Sequence, residues 1–265
     1  NIVDRVDAVG DPPADWQPDL FLNPADPTRS YTGRGGYLRD LCRFNPARYG
    51  IMPSSIEGSE PDHFLAFRAA VEALADAGYP EIPLVAERTG VILGRGLFIN
   101  RGLVTMIAQG YMVDQVLDVL RQLEPHRTEE ELLRLRDALK GRMPPFNAET
   151  VPGLTHNVLA ARIANRLNLQ GPTYTVDAAC ASALLAVDQS IRELRAGRCD
   201  AVLAGGVQVS TPGMVHKAFS YLGALSRKGT PAPFSADADG TLLGQGCGVI
   251  VLKRRSDAER DGNRI

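Results

Sequence analysis

Cysteine and histidine are scarce in this 265-residue sequence, and neither occurs at metal-binding spacing. The cysteines stand alone, without a CxxC pair, and the histidines are scattered in the same way. Zinc sites need closely spaced Cys and His ligands, and a disulfide framework needs paired cysteines. We therefore expect no metal, no disulfide and a reducing, cytoplasmic setting. The residues concerned are Cys42, Cys180, Cys199, Cys247, His63, His126, His156 and His216.

A large charge of one sign is missing too. The formal net charge is −2, which gives no basic field for nucleic acid. Long apolar runs are also absent: the run around 201–209 is short and contains Gly205 and Gly206, so we expect no membrane span. The first residues, NIVDRVDAVGDPP, carry charges and no apolar core, so we expect no signal peptide. The hydrophobic content of 44% is typical of a globular protein with a sizeable core.

The first half of the chain predicts an irregular segment followed by helices around one buried strand. Residues 1–50 are rich in Pro, Asp and Gly and lack periodicity, so we expect them to be extended. Thr128 and Glu131 have the spacing of a capping box, which marks the start of a helix. Charged residues around that helix favour a peripheral helical cover at about 101–150. The predicted elements are helices at 62–78, 103–123 and 128–141 and a strand at 90–94.

From residue 157 onward, helices and strands alternate with short links. A strand, a helix and a second strand in this order predict a right-handed parallel βαβ unit. We therefore predict an α/β protein with a mainly parallel sheet covered by helices. The predicted elements are helices at 157–168 and 181–197 and strands at 173–178, 201–209 and 246–254.

Cys180 lies within TVDAACASAL, where a predicted strand ends and a predicted helix begins. A thiol attacks as thiolate, and the free N–H groups at a helix start stabilise that anion. The small residues around it let the chain turn sharply and let a substrate reach the sulfur. Its own N–H would face an oxyanion formed on an attacked thioester. Position alone favours a small packing residue over a nucleophile, as free cysteines often are buried apolar groups.

TVDAACASAL resembles the active-site stretch of β-ketoacyl synthases, in which an Asp and two small residues precede the nucleophilic Cys. Further matching segments follow in the same order, at similar spacing, along almost the whole chain. They are FNPARYGIMPSSI (44–56), AVEALADAGY (70–79), NVLAARIANRLNLQGPTYTVD (157–177), AGGVQVS (204–210), LGALSRKGTPAPFSADADG (222–240) and GCGVIVLKR (246–254). The detailed pattern is most similar to ketosynthase domains of multidomain polyketide or polyunsaturated-fatty-acid-type synthases.

The resemblance implies a thiolase-like layered fold, of which residues 1–265 form the N-terminal half, and a homodimer. It implies that Cys180 takes an acyl group from a carrier-protein thioester. The enzyme then decarboxylates a malonyl-type thioester and joins the two. The resemblance also implies that the substrates are attached to the phosphopantetheine of an acyl carrier protein, so no bound cofactor is expected. The family's opening strand, and the half with the histidines that assist decarboxylation, are expected outside residues 1–265.

Some positions depart from the family pattern, and other functions stay open. Acidic residues usual in the family are replaced by Ser235 and Gln245, a glycine by Ala161, and a serine after the nucleophile by Ala181. None of these changes removes the nucleophile. The alternatives are an acyltransferase-type relative that uses coenzyme A thioesters and a non-catalytic dimerisation half. A cysteine hydrolase is less favoured, because no histidine in an appropriate context accompanies Cys180.

Overall fold

The computed structural model describes residues 3–4, 6–81, 83–96, 99–210 and 213–265. The strands are β1 Val9–Gly10, β2 Gly35–Gly36, β3 Thr89–Gly94, β4 Thr173–Val176, β5 Ala201–Gln208, β6 Leu243–Gly244 and β7 Gly246–Lys253. The helices are α1 Pro61–Asp76, α2 Arg101–Ile107, α3 Val113–Leu123, α4 Glu129–Lys140, α5 Val151–Leu154, α6 Val158–Arg166, α7 Ser182–Arg195, α8 Gly213–Tyr221 and α9 Arg255–Arg260. A π-helical turn, Ala108–Met112, joins α2 to α3. Residues 14–55 contain short 3-10 turns and almost no strand, as predicted for an irregular segment.

A four-stranded sheet with the order β4-β3-β5-β7 forms the centre of the fold. β3 pairs in parallel with both β4 and β5, and β7 runs antiparallel to β5. Because β4 and β5 are parallel, α7 connects them by crossing over β3. The predicted strand–helix–strand order and the mainly parallel sheet are thereby confirmed.

Helices cover both faces of this sheet. Val91 and Leu93 of β3 pack in a core with α1 and α6, whereas Ile92 between them packs in a second core with α7. This alternation follows from the two-residue period of a strand, whose successive side chains point to opposite faces. All residues of β3 are buried, as expected for a strand covered on both sides.

α3 and α4 pack against each other in a cluster separate from the two sheet cores. Val113 and Leu117 of α3 pack with Leu132 of α4 in a small core of their own. The predicted capping box is present: the Thr128 hydroxyl accepts from the Glu131 N–H, and the Glu131 carboxylate accepts from the Thr128 N–H. That residues 101–150 form a peripheral cover stays a prediction.

The helical segment Arg101–Leu123 corrects one expectation from the sequence. It is long and apolar enough to cross a membrane by length and composition alone, with a mean hydropathy of 1.2. The segment does not stand out as an unbroken apolar run, because Asp114, Asp118 and Arg121 interrupt its second half. One side of that second half packs against α4, so α3 combines apolar and charged faces in the manner of a surface helix.

Asp200 joins the starts of β3 and β5 to the segment before α9. Its carboxylate accepts from Arg88 at 2.5 and 3.0 Å and also from Arg254. The Arg88 hydrogen bond, followed by that of Arg254, lowers the pKa of Asp200 to about 2. Unfolding returns this carboxyl to its ordinary, higher pKa, so its contribution to stability is complete above that ordinary value and is lost as the pH falls towards 2.

We therefore expect Asp200→Asn to lower the free energy of unfolding at neutral pH and to lower it progressively less in acid. Urea unfolding of wild type and variant at several pH values between about 7 and about 3 measures this difference. A loss of the same size at every pH would show that the charge of Asp200 plays no part.

Candidate active site

Cys180 lies on a sharp turn between β4 and α7. The 3-10 turn Ala179–Ala181 links the strand to the helix. Ala179 has a φ of 50°, a left-handed conformation that residues with a side chain adopt rarely. The turn exposes the thiol of Cys180 at the carboxyl end of β4. Active sites of α/β proteins commonly lie at this edge of a parallel sheet.

Side chains on either side of Cys180 hold the turn in place. Asp177 Oδ1 accepts from the Ala179 N–H at 2.9 Å. The Ser182 hydroxyl accepts from the Ala178 N–H at 2.8 Å and donates to the Ala179 carbonyl at 2.7 Å. Ser182 thereby stabilises the unusual conformation at Ala179, and the turn that presents the thiol is fixed by its own neighbours.

Two glycines allow the start of α7 to rest directly on the sheet. Gly94 of β3 and Gly206 of β5 are paired across the two strands. A Cβ at Gly94 would lie 2.3 Å from the Ser182 carbonyl carbon, and one at Gly206 would lie 2.7 Å from the Ala183 Cβ. Only residues without a side chain permit this approach. The position of Cys180 therefore depends on the glycines beneath it as well as on its own turn.

The other three cysteines are withdrawn from solvent. Cys199 is fully buried, and Cys42 and Cys247 are partly buried against the core of α1 and α6. Burial raises the pKa of Cys42 and Cys199, and it raises that of Cys247 to about 12. These thiols pack as apolar groups. Cys180 is the exposed thiol among the four.

We expect Cys180 to be the first thiol alkylated when the native protein meets a limiting amount of iodoacetamide at mildly acidic pH. The reagent reacts with an accessible thiolate. In the other three cysteines burial limits access to the sulfur, and the raised pKa disfavours the thiolate. Peptide mass spectrometry after a short exposure measures the order of labelling. Labelling of Cys42 as fast as Cys180 would contradict the prediction, and equal labelling after denaturation is the control.

Three histidines are packed groups with lowered pKa values. His63 and His216 are each only 1% exposed, and burial lowers their pKa to about 3 and about 4. Burial, and then the charge of Arg95, lowers the pKa of His156. Imidazoles in this state stay neutral at physiological pH. Among the described residues no group of three or more His, Cys, Asp and Glu side chains could hold a metal ion.

A buried ion pair beside the Cys180 turn was not predicted from the sequence. Arg95 directly follows β3, is 1% exposed and donates from Nε to Asp62 Oδ2 at 2.8 Å. The other oxygen of Asp62 accepts from the backbone N–H groups of Val209 and Ser210, at 2.8 and 3.1 Å. The available signal was an arginine immediately after the apolar run GVILG, where a charge is expensive unless it is paired.

A cleft of 1160 Å³ opens near the same edge of the sheet. Ser210 and Gln245 line it from the sheet side, and Trp16 and Val104 contribute apolar wall. Cys180 does not belong to the lining formed by the described residues. The cleft is therefore a feature separate from the exposed thiol.

Curated relatives match the chain over its whole length. A phenolphthiocerol/phthiocerol polyketide synthase from Mycobacterium tuberculosis is 33% identical over 100% of this chain and 13% of its own length. The polyketide synthase GfsB of Streptomyces halstedii is 32% identical over 100% of this chain and 4% of its own length. The chain thus spans a small part of each of these relatives.

Two solved ketosynthase structures share the fold of this chain. The oxazolomycin ketosynthase domain from Streptomyces albus has a TM-score of 0.75 at 27% identity, covering 97% of this chain and 40% of that one. The ketosynthase from module 6 of the bacillaene synthase from Bacillus subtilis has a TM-score of 0.71 at 26% identity, covering 100% of this chain and 38% of that one. The predicted thiolase-like fold is confirmed.

The matching sequence segments and the fold indicate the same family. The family model of the β-ketoacyl synthase N-terminal domain matches residues 1–258. This chain belongs to the β-ketoacyl synthase family.

Proposed function

We propose that this chain is the nucleophile-bearing domain of a ketosynthase that makes carbon–carbon bonds in polyketide or fatty acid synthesis. The observation that carries the proposal is Cys180, an exposed thiol held at the start of a helix while the other three cysteines are withdrawn. A thiol presented in this way suits covalent catalysis on a thioester.

In the first step the Cys180 thiolate attacks the carbonyl of an acyl thioester. The carbon–sulfur bond to the carrier breaks, the carrier sulfur leaves as a thiolate that takes up the proton given up by Cys180, and the acyl group stays on Cys180. In the second step a malonyl-type thioester loses carbon dioxide, and the carbanion attacks the acyl carbonyl. A carbon–carbon bond forms and the Cys180 thiolate is released. Backbone N–H groups at the turn, including that of Cys180, would stabilise the oxyanion of each attack.

We place the substrates on the phosphopantetheine of an acyl carrier protein, with no cofactor bound to the chain itself. The relatives named polyketide synthases are far longer than this chain, which supports a place within a larger multidomain enzyme. We place that enzyme in the cytoplasm, with neither nucleic acid nor membrane as a partner. The net charge of −2 and the packing of α3 on α4 support this assignment.

Residues 1–265 would form the N-terminal half of the catalytic domain, with a helical cover at about 101–150. The side of α7 away from the sheet carries Leu184 and Ile191, which are 77% and 37% exposed. A second half packed over α7 would bury them. β4 lies at one edge of the sheet, and pairing of this edge with a second copy would give the homodimer.

Mass spectrometry of the full-length protein with acyl and malonyl thioesters tests the proposal. We expect an acyl mass on the Cys180 peptide from an acyl carrier protein, followed by a β-ketoacyl product when malonyl carrier is added. Loading from coenzyme A without condensation would favour an acyltransferase. A dimer that takes up no acyl group would favour a non-catalytic dimerisation half.

A further inference from the structure

The Cys180 turn is supported from both sides by two residues at the end of β3. Before the turn, the Val176 carbonyl accepts from the Arg95 N–H at 3.1 Å. After the turn, the backbone of Ser182 and Ala183 lies against Gly94, within 2.5 Å of where a Cβ would stand. The position of the dipeptide Gly94–Arg95 therefore sets the position of the turn.

The side chain of Arg95 anchors this dipeptide to the rest of the molecule. Its Nε donates to Asp62, in the first turn of α1, at 2.8 Å. The same carboxylate holds the N–H groups of Val209 and Ser210, directly after β5. One ion pair thus joins α1 to the carboxyl ends of β3 and β5, and the Arg95 backbone continues the connection to β4.

Glu60 is a second acidic residue near Arg95, but it contributes less to holding Arg95 in place. Glu60 Oε1 is 3.6 Å from Arg95 Nη2 and makes no hydrogen bond with the described residues. Burial, and then the charge of Asp62, raises the pKa of Glu60. Since the side chains of Arg95 and Asp62 are only 1% and 2% exposed, their opposite charges must balance each other in the interior.

We propose that Arg95 and Asp62 are positioning residues that hold the Cys180 turn in register with the ends of β3 and β5. The bond from Arg95 Nε to Asp62, together with the bonds from the Val209 and Ser210 N–H groups to the same carboxylate, fixes an orientation that a flexible apolar side chain would leave free. The inference rests on the proposed role of Cys180 as the acyl-accepting nucleophile.

The test is the double variant Arg95→Met with Asp62→Asn in the full-length protein. It removes both charges of the pair together, Glu60 can take up a proton because burial already raises its pKa, and the Asn amide oxygen can still accept from Val209 and Ser210. Single-turnover acyl loading from a carrier thioester is measured over a range of carrier concentrations. We expect the maximal loading rate to fall about 10-fold to 100-fold, because small displacements of a reacting group cost this much. The half-saturating carrier concentration should change by less than about 2-fold. The misplaced thiol slows the chemical step that follows carrier binding and leaves the affinity for the carrier unchanged.

Two further variants separate positioning from general destabilisation. Arg95→Lys retains the charge opposite Asp62 and should recover loading to within about 3-fold of wild type. Glu60→Gln is the matched control in the same cluster and should load at the wild-type rate. A double variant that loads within about 2-fold of wild type would overturn the proposal, as would a Glu60→Gln loss of equal size. A double variant without native secondary structure by circular dichroism would also overturn it, because the pair would then be required for folding.

Failure of this inference is distinguishable from failure of the proposed function. Cys180→Ala is measured in the same experiment. An acyl mass on that variant would remove the nucleophile assignment itself. Normal loading of the double variant beside an inert Cys180→Ala would remove only the positioning role.

Discussion

Replacing Cys180 by alanine should abolish covalent acyl loading of the full-length protein. Alanine offers no nucleophile at the only position where the four cysteines expose a thiol. Cys180→Ser should retain less than about 1% of the loading rate, because a hydroxyl without a strong base is hardly ionised at neutral pH. Intact-protein mass spectrometry with an acyl carrier thioester, followed by peptide mapping, measures both variants.

Cys42→Ala is the matched control for this experiment. It removes a partly buried thiol of raised pKa and should load as wild type does. Circular dichroism of the Cys180 variants should be native, because Cys180 is exposed and alanine and serine are of similar size. An acyl mass on the Cys180→Ala protein, at any peptide, would mean that another residue is the nucleophile.

The elements of this fold were predictable where the sequence repeats a local pattern over many residues. The predicted helix at 62–78 is α1, Pro61–Asp76, and the predicted strand at 90–94 is β3, Thr89–Gly94. The predicted start of the next helix at 103 was late, because Asn100 caps it by accepting from the Leu103 N–H at 2.7 Å. α8, Gly213–Tyr221, was missed because nine residues carry little periodicity.

The place of Cys180 between strand and helix was predictable, whereas its support was not. The left-handed Ala179 gives no signal in a sequence, because alanine rarely adopts that conformation. The Asp62–Arg95 pair joins residues 33 positions apart, and no local period connects them. In the sequence Gly94 is an ordinary strand glycine. Only the structure shows that the start of α7 packs directly against it. Contacts of this kind arise from the tertiary arrangement and not from local propensity.

Gly94→Ala should destabilise the protein and displace the nucleophile together. The new Cβ would lie 2.3 Å from the Ser182 carbonyl carbon and 2.5 Å from the Ala183 nitrogen. Both are backbone atoms, so β3 or the start of α7 must move. Overpacking of this kind lowers the free energy of unfolding by about 2–3 kcal/mol. The same movement carries the Cys180 turn with it, so loading should slow by about 10-fold or more.

Gly248→Ala is the matched control, because it adds the same methyl group to a strand glycine of the same sheet. No atom of the described residues lies within 4 Å of a Cβ at Gly248 of β7, so the free energy of unfolding of this variant should change by less than about 0.5 kcal/mol. Urea unfolding and single-turnover acyl loading of both variants measure the two effects separately. Slower loading by Gly94→Ala under conditions where the protein remains folded would show that contact between β3 and α7 sets the position of the thiol. Wild-type loading by a destabilised Gly94→Ala protein would show instead that the Cys180 turn keeps its geometry without support from β3.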